Sequence, residues 1–301
     1  MKVIVTTSNS HSILLQEFAE LFNLYWSPDQ EVIVLGYEKI KFSLPKNFEF
    51  ISLGKQPKSG DWNTPLIPFF KKFTDKSFVM MMDDHFIVNP VKIEMINHAN
   101  NLILNGYIDK FWLGCWGCTD VDVSQYESFC RQGVVRSPGW HKGRVNHLIR
   151  HYTPTEPRSR FPFFDWIDHP TYDPGATPNE TRQNMYMSTM LDPSLWSTSL
   201  FFRLINRPPT EAHSLDSGVG YNLTDKNTKT VFSLDAALHH QDATRCGHFA
   251  RGLFFNYCGP GIDSERLKPI FSRAKKKFIE KNGDRDCPTN QIKCKRIYDT
   301  L

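Results

Sequence analysis

Four short apolar segments, each followed by polar or helical sequence, recur through the first ninety residues. "KVIVTT" opens the chain as a β-branched strand that ends in small polar residues. Ile13, Leu14, Phe18, Leu21, Phe22 and Tyr25 then recur at helical spacing, which predicts an amphipathic helix over residues 11–25. "EVIVLGY" (31–37) and "FEFISL" (48–53) read as the next strands, and residues 64–74 as a helix leading into "FVMMM". Strands alternating with helices in this way require a mainly parallel sheet with helices on both faces, because a parallel connection needs a crossover. The expectation is an α/β fold: a Rossmann-like mixed central sheet flanked by helices.

In such sheets, ligands bind beyond the carboxyl ends of the strands. Thr6, Thr7 and Ser8 follow the first strand. The fourth runs into "DDHF", which sets Asp83, Asp84 and His85 in an apolar run. A buried, unpaired carboxylate costs several kcal/mol or takes up a proton. The sequence therefore places the acidic pair at the sheet rim, where it need not be buried. If the strand continues, Asp83 and His85 share a face and Asp84 opposes them. If the chain turns there, Asp84 and His85 can reach one metal ion. Carboxylates with imidazole suit manganese as well as magnesium, and such an ion commonly bridges a diphosphate.

After residue 90 the rhythm changes. Residues 92–105 read as a helix and "KFWLGCW" (110–116) as a strand, while 131–185 is irregular and rich in Pro, Arg, His and aromatics. "LDPSLWSTSLFFRLI" (191–205) reads as a helix with Asp192 as N-cap and Pro193 at its first position. The basic stretch "SERLKPIFSRAKKKFIEKNG" reads as a helix stopping at Gly283, with its lysines as a solvated face. No linker cleanly splits the chain. It is expected to be one domain over 1–301, with a nucleotide-binding half (1–90) and an acceptor-binding half (91–301) ending in the C-terminal helix.

Composition narrows the function classes. The net charge of +4 across 301 residues is too weak a bias to imply nucleic acid, but is compatible with an anionic phosphate ligand. No signal peptide and no run of about 18 apolar residues is visible, so a cytoplasmic protein without a transmembrane segment is expected. Seven cysteines, an odd number, then read as free thiols, and the sequons at Asn179 and Asn222 carry no meaning there. Cys115 and Cys118 form a CxxC and Cys287 and Cys294 a wider pair, without the second matched pair that a zinc site needs.

The segment "GDWNTPLIPFFKKFTDKSFVMMMDDHFI" (60–87) resembles the GT-A class of nucleotide-sugar glycosyltransferases, of the bacterial and viral type with a DXD-like "DDHF" or "DDYF" motif. "LDPSLWSTSLFFRLINRPPTEAHSLDSG" (191–218) is similar to that class's "P-x-x-W" helix, which precedes an acidic residue on the acceptor side. Position three here is His85, like the DXH variant of some GT-A enzymes, in which the histidine also binds the metal.

The resemblance implies a metal-dependent transfer of a sugar from a nucleotide-diphosphate donor, UDP- or GDP-sugar, to a glycan or lipid-linked hydroxyl acceptor. Manganese or magnesium is the implied cofactor, and inversion the implied course. Carried onto this chain, the metal ligands are Asp83, Asp84 and His85, with His240 or His248 from "LHHQDATRCGHFARG". The donor contacts are Thr6, Thr7, Ser8, Trp62, Asp83, Arg245 and Arg251. The general base that deprotonates the acceptor is Asp216, with Glu211 as the rival. A capping carboxylate is the plain alternative for Asp216. Trp140, Phe161, Phe163, Phe164, Trp166 and Tyr172 offer either a stacking wall for sugars or a satellite core.

Two other functions compete. A nucleotidyltransferase or other metal-dependent phosphate-ester enzyme would also hold a carboxylate-bound cation. It would ordinarily carry a Gly-rich, basic phosphate loop near its first strand, and "TTSNSHS" has neither glycine nor lysine. A non-catalytic carbohydrate-binding protein would need the aromatic wall but no metal and base.

Overall fold

The computed structural model describes residues 1–58, 60–91, 93–106, 109–113, 166–170, 191, 193–212, 229–233, 245–250, 253–256 and 264–283. In chain order its first elements are β1 (Lys2–Thr6), α1 (Leu15–Tyr25), β2 (Val32–Gly36), β3 (Phe48–Ser52), α2 (Ile67–Phe70) and β4 (Ser77–Met82). Next come β5 (His85–Asn89), α3 (Ile93–Leu104), β6 (Lys110–Trp112), β7 (Trp166–Pro170) and β8 (Ser194–Ser197). The last are α4 (Thr198–Ile205), β9 (Lys229–Ser233), β10 (Arg245–Ala250), β11 (Leu253–Asn256) and α5 (Ser264–Asn282). The chain is a mixed α/β protein. It packs as two compact units, one of Lys2–Gln56, Met81–Val91 and Thr244–Leu301, the other of Pro57–Met80 and Lys92–Ala243 with Met1.

In the first of these units, β1, β2 and β3 are parallel neighbours, with Val5 opposite Val34 and Val34 opposite Phe50. Val3, Ile4 and Val5 are fully buried, as a strand covered on both faces requires. α1 lays Leu15, Phe18, Ala19, Leu21 and Phe22 inward, and Phe22 meets Phe48 edge to face at 5.5 Å. β10 pairs antiparallel with both β5 and β11. α5 buries Leu267, Ile270, Phe271, Ala274 and Phe278, and ends where Gly283 takes φ +78°, a left-handed stop that glycine adopts without a Cβ penalty.

In the other unit the strand order is β4-β8-β6-β9-β7, with β6 and β9 parallel and the remaining pairs antiparallel. Phe201 of α4 anchors its core, with ring centroids 4.8 Å from Phe70, 5.1 Å from Phe78 and 5.4 Å from Trp196.

Two of the expected helices are corrected. The helix read over 64–74 is only a 3₁₀ turn (Thr64–Leu66) and the four-residue α2, with Pro65 and Pro68 each in the first turn of its piece, so the ladder through the start is broken into two. The helix read from Asp192 begins at Thr198 instead, capped by the Ser197 side chain accepting from Leu200 N–H. Ser194–Ser197 ahead of it is a buried strand that pairs with β4 on one side and β6 on the other. Two ladders of hydrogen bonds and full burial of Leu195 and Trp196 outweigh the local Asp-Pro signal.

The lysines of α5 are not simply a solvated face. Lys277 Nζ donates to Glu17 Oε1 and to Gln16 Oε1, each at 2.7 Å, and Arg273 pairs with Glu20. Glu17 is a carboxylate only 1% exposed, so the cations of α5 compensate a charge that the core of α1 takes from water.

Candidate active site

β1 and β2 end side by side, and the main chain continues their pairing one residue further, with Thr7 N–H donating to Leu35 O at 3.0 Å. Gly36 lies beside this end. A Cβ built there would stand 2.7 Å from the Phe50 ring and 2.7 Å from Thr7 Cγ2, so only glycine lets Thr7 sit where it does.

The acidic motif reaches the same place. β4 stops at Met82, Asp83 and Asp84 form a turn, and β5 starts at His85. Of the two readings, the chain turns. Asp83 N–H donates to Thr6 O at 3.2 Å, and Thr7 Oγ1 donates to Asp83 Oδ2. Thr6, Thr7, Asp83 and His85 are all buried, each at 4–6% exposure. Asp83 is therefore buried rather than at an open rim, which corrects that expectation for it, while Asp84 is half-buried. The hydroxyl of Thr7 and the backbone satisfy the carboxyl instead of bulk water.

That arrangement has an electrostatic signature. Burial, and next the charge of Asp84, raise the Asp83 pKa well above the ordinary carboxylate range; the Thr7 hydrogen bond opposes the shift without cancelling it. Asp84 lies beside His85, with its Oδ1 3.4 Å from His85 Nδ1.

Among the described residues no group of three His, Cys, Asp or Glu side chains is arranged to hold a metal ion. Asp84 and His85 nevertheless fit as part of a shell. Two donors 3.4 Å apart subtend roughly 108° at a cation with bonds of about 2.1 Å, between octahedral and tetrahedral angles. One carboxylate oxygen with one imidazole nitrogen is a donor set that manganese accepts.

The other candidates named from the sequence fall in several places. His248 is the cross-strand partner of His85 in the β10–β5 ladder, and Arg245 that of Asn89. Ser8 follows Thr7 in the turn after β1, its hydroxyl 2.8 Å from Ser10 Oγ and 3.1 Å from His11 Nδ1. Trp62 and Glu211 belong to the other unit. Trp62 N–H donates to Thr210 O at 2.9 Å, and Glu211 is exposed, its Oε1 3.8 Å from the position a Cβ on Gly60 would take.

Asp216, His240 and Arg251 lie outside the described residues, as do Cys115, Cys118, Cys287, Cys294, Asn179 and Asn222 and the aromatic residues Trp140, Phe161, Phe163, Phe164 and Tyr172. The backbone of Trp166 opens β7.

Sequence reasoning passed over Asn63, which is fully buried beside Trp62. Its Nδ2 donates to Ile205 O at 2.8 Å and Arg207 O at 3.0 Å, and its Oδ1 accepts from Thr210 N–H at 2.7 Å. One amide thus closes the end of α4 and holds the segment leading to Glu211. A polar residue followed by Thr-Pro carries no signal of so distant a partner.

No family model matches the chain, and no curated protein does. Among solved structures the chain is similar to S. aureus TarS 1–349 in complex with UDP-GlcNAc, at 15% identity and TM-score 0.43, over 79% of this chain and 57% of that one. It is also similar to the mannosyltransferase PcManGT from Pyrobaculum calidifontis in complex with GDP-Man and Mn2+, at 10% identity and TM-score 0.40, over 99% of this chain and 78% of that one. The chain thus spans less than two thirds of the TarS chain. Among the described residues no helix is long and apolar enough to cross a membrane.

Proposed function

We propose that this protein is a metal-dependent glycosyltransferase that takes a sugar from a nucleotide-diphosphate donor, UDP- or GDP-linked, and transfers it to a hydroxyl of a glycan or lipid-linked acceptor. The observation that carries the reading is the junction of Thr7 with Asp83, beside the Asp84–His85 donor pair, at the carboxyl end of parallel strands. Ligands of open α/β sheets bind at that edge, and a carboxylate beside an imidazole there is a donor set for a divalent cation.

In this reading Thr6, Thr7 and Ser8 line the nucleotide, and Asp84 and His85 hold manganese or magnesium, with His248 or His240 available to extend the shell. The cation neutralises the departing diphosphate. Asp83, whose Oδ2 accepts from Thr7 within the turn, is the further candidate ligand of the ion and contact of the donor. Arg245 and Arg251 are the candidates to bind phosphate oxygens, and Trp62 is the aromatic candidate on the donor side. Asp216, or its rival Glu211, takes the proton from the acceptor hydroxyl as it attacks the anomeric carbon, and the reaction inverts.

A donor-hydrolysis screen over UDP-, GDP-, CDP- and dTDP-sugars in manganese or magnesium tests the class. Release of nucleotide diphosphate from at least one donor is expected, and hydrolysis of none overturns the reading. With a competent acceptor, Asp216→Asn should keep nucleotide affinity and lower transfer by roughly 10²-fold or more, the usual scale for a positioned base, while Glu211→Gln does much less. Wild-type transfer by Asp216→Asn moves the base elsewhere.

A further inference from the structure

α5 touches both segments that build the Thr7–Asp83 junction. Toward its middle, the Phe271 ring stacks on Phe86, the residue after His85, at 5.8 Å between centroids. Toward its end, Phe278 stacks on His11 at 5.3 Å. One turn later, Lys281 Nζ donates to Asn9 O, and Asn282 Nδ2 donates to Ser10 O at 3.1 Å. Arg273, Lys277 and Lys281 are spaced i, i+4, i+8, so one row of cations runs along α1 and finishes on the turn after β1.

Asn9 is gripped at every polar group it has. Its N–H donates to Gln56 Oε1 at 2.7 Å and its side chain to Glu38 at 2.8 Å. Its carbonyl accepts from Lys281 of α5 and, at 3.3 Å, from the neighbouring Ser12 hydroxyl. Thr7 stands two residues before Asn9, and its hydroxyl must meet Asp83.

We propose that the end of α5 is a positioning element for the donor site: Lys281 and Asn282 fix the backbone of Asn9 and Ser10, and thereby the placement of Thr7 against Asp83. This deepens the nucleotide-sugar reading and rests on it. Neither residue touches the donor. Their effect falls on donor affinity and leaves the chemical step alone.

The test compares the wild type with the double variant Lys281→Met, Asn282→Ala. Lys276→Met is a control on the same helix, where Lys276 faces exposed Glu280 at 4.0 Å. Two quantities are measured: amide hydrogen exchange over residues 7–12, and affinity for UDP and GDP in manganese, with KM and kcat for donor hydrolysis. Each lost hydrogen bond is worth on the order of a few-fold. The double variant should exchange about tenfold faster over 7–12, and bind nucleotide about three- to tenfold more weakly at unchanged kcat, with β2 amides unaffected. Lys281→Arg should behave as wild type, and so should Lys276→Met.

Unchanged exchange over 7–12 overturns the proposal. So does faster exchange with unchanged affinity, and so does an equal loss of protection throughout β1 and β2, which would mark a merely structural role. A wild-type protein that binds neither nucleotide overturns the donor-site reading and the claim on affinity with it. The exchange measurement then decides separately whether α5 holds the turn.

Discussion

The hydroxyl of Thr7 donates to the carboxylate of Asp83, which lies 76 positions away in sequence, and both side chains are buried. This contact ties the turn after β1 to the acidic turn between β4 and β5. Thr7→Val keeps the shape and removes the donor. The variant should lose about 1–3 kcal/mol of stability in urea denaturation, the scale for leaving a buried acceptor without its hydrogen bond. Unchanged stability would mean that the contact contributes nothing.

Asp83 sets a pH dependence whose sign is opposite to that of a salt-bridged aspartate. Its folded pKa is raised, chiefly by burial and then by Asp84. The contribution is intact below the unfolded carboxylate value of about 4, and is lost as pH rises through the folded value. Metal-free Asp83→Asn should therefore melt above the wild type at neutral pH, with the gap closing as pH falls toward about 4. Thermal melts in chelator across that range check it. A gap that widens on acidification contradicts the assignment.

Gly36→Ala should cost about 1–3 kcal/mol by overpacking, since the new methyl meets Phe50 and Thr7 at 2.7 Å. It should also weaken nucleotide binding, because Thr7 is one of the two groups that must move. Gly54 has nothing within 4 Å of a built Cβ, but its φ of +90° makes alanine strained there. Gly54→Ala should lower stability without changing nucleotide affinity. Equal binding by both variants would uncouple Thr7 from the donor.

Asn63→Leu leaves the Ile205 and Arg207 carbonyls and the Thr210 N–H without their amide partner. Losing one buried and two part-buried hydrogen bonds together should cost about 2 kcal/mol or more in chemical denaturation. A loss under about 1 kcal/mol would show that water replaces the amide.

Much of this architecture is legible in the sequence. β1 and β2 are uninterrupted apolar runs and α1 carries a clear helical period, so physics local to each segment decides them. α5 stops at Gly283 for a reason visible in one residue. The errors arise where a partner far along the chain decides. Ser194–Ser197 is a strand because β4 and β6 bracket it, although Asp192-Pro193 starts a helix in isolation. The turn at Asp83 is one of the two readings the motif allows, but its burial depends on Thr7. Lys277 and Lys281 read as surface charges until α1 and the turn after β1 are set beside them.

The central claim is that Asp84 and His85 hold a cation that binds the donor diphosphate. Calorimetric titration of UDP and GDP into the protein, in manganese and in chelator, tests it most directly, with wild type beside Asp84→Asn, His85→Ala. The account predicts saturable binding of at least one nucleotide by the wild type in manganese. Chelator should abolish that binding, and the double variant should lack it while keeping a cooperative thermal transition. Binding of equal affinity in chelator, or by the double variant in manganese, would contradict the claim.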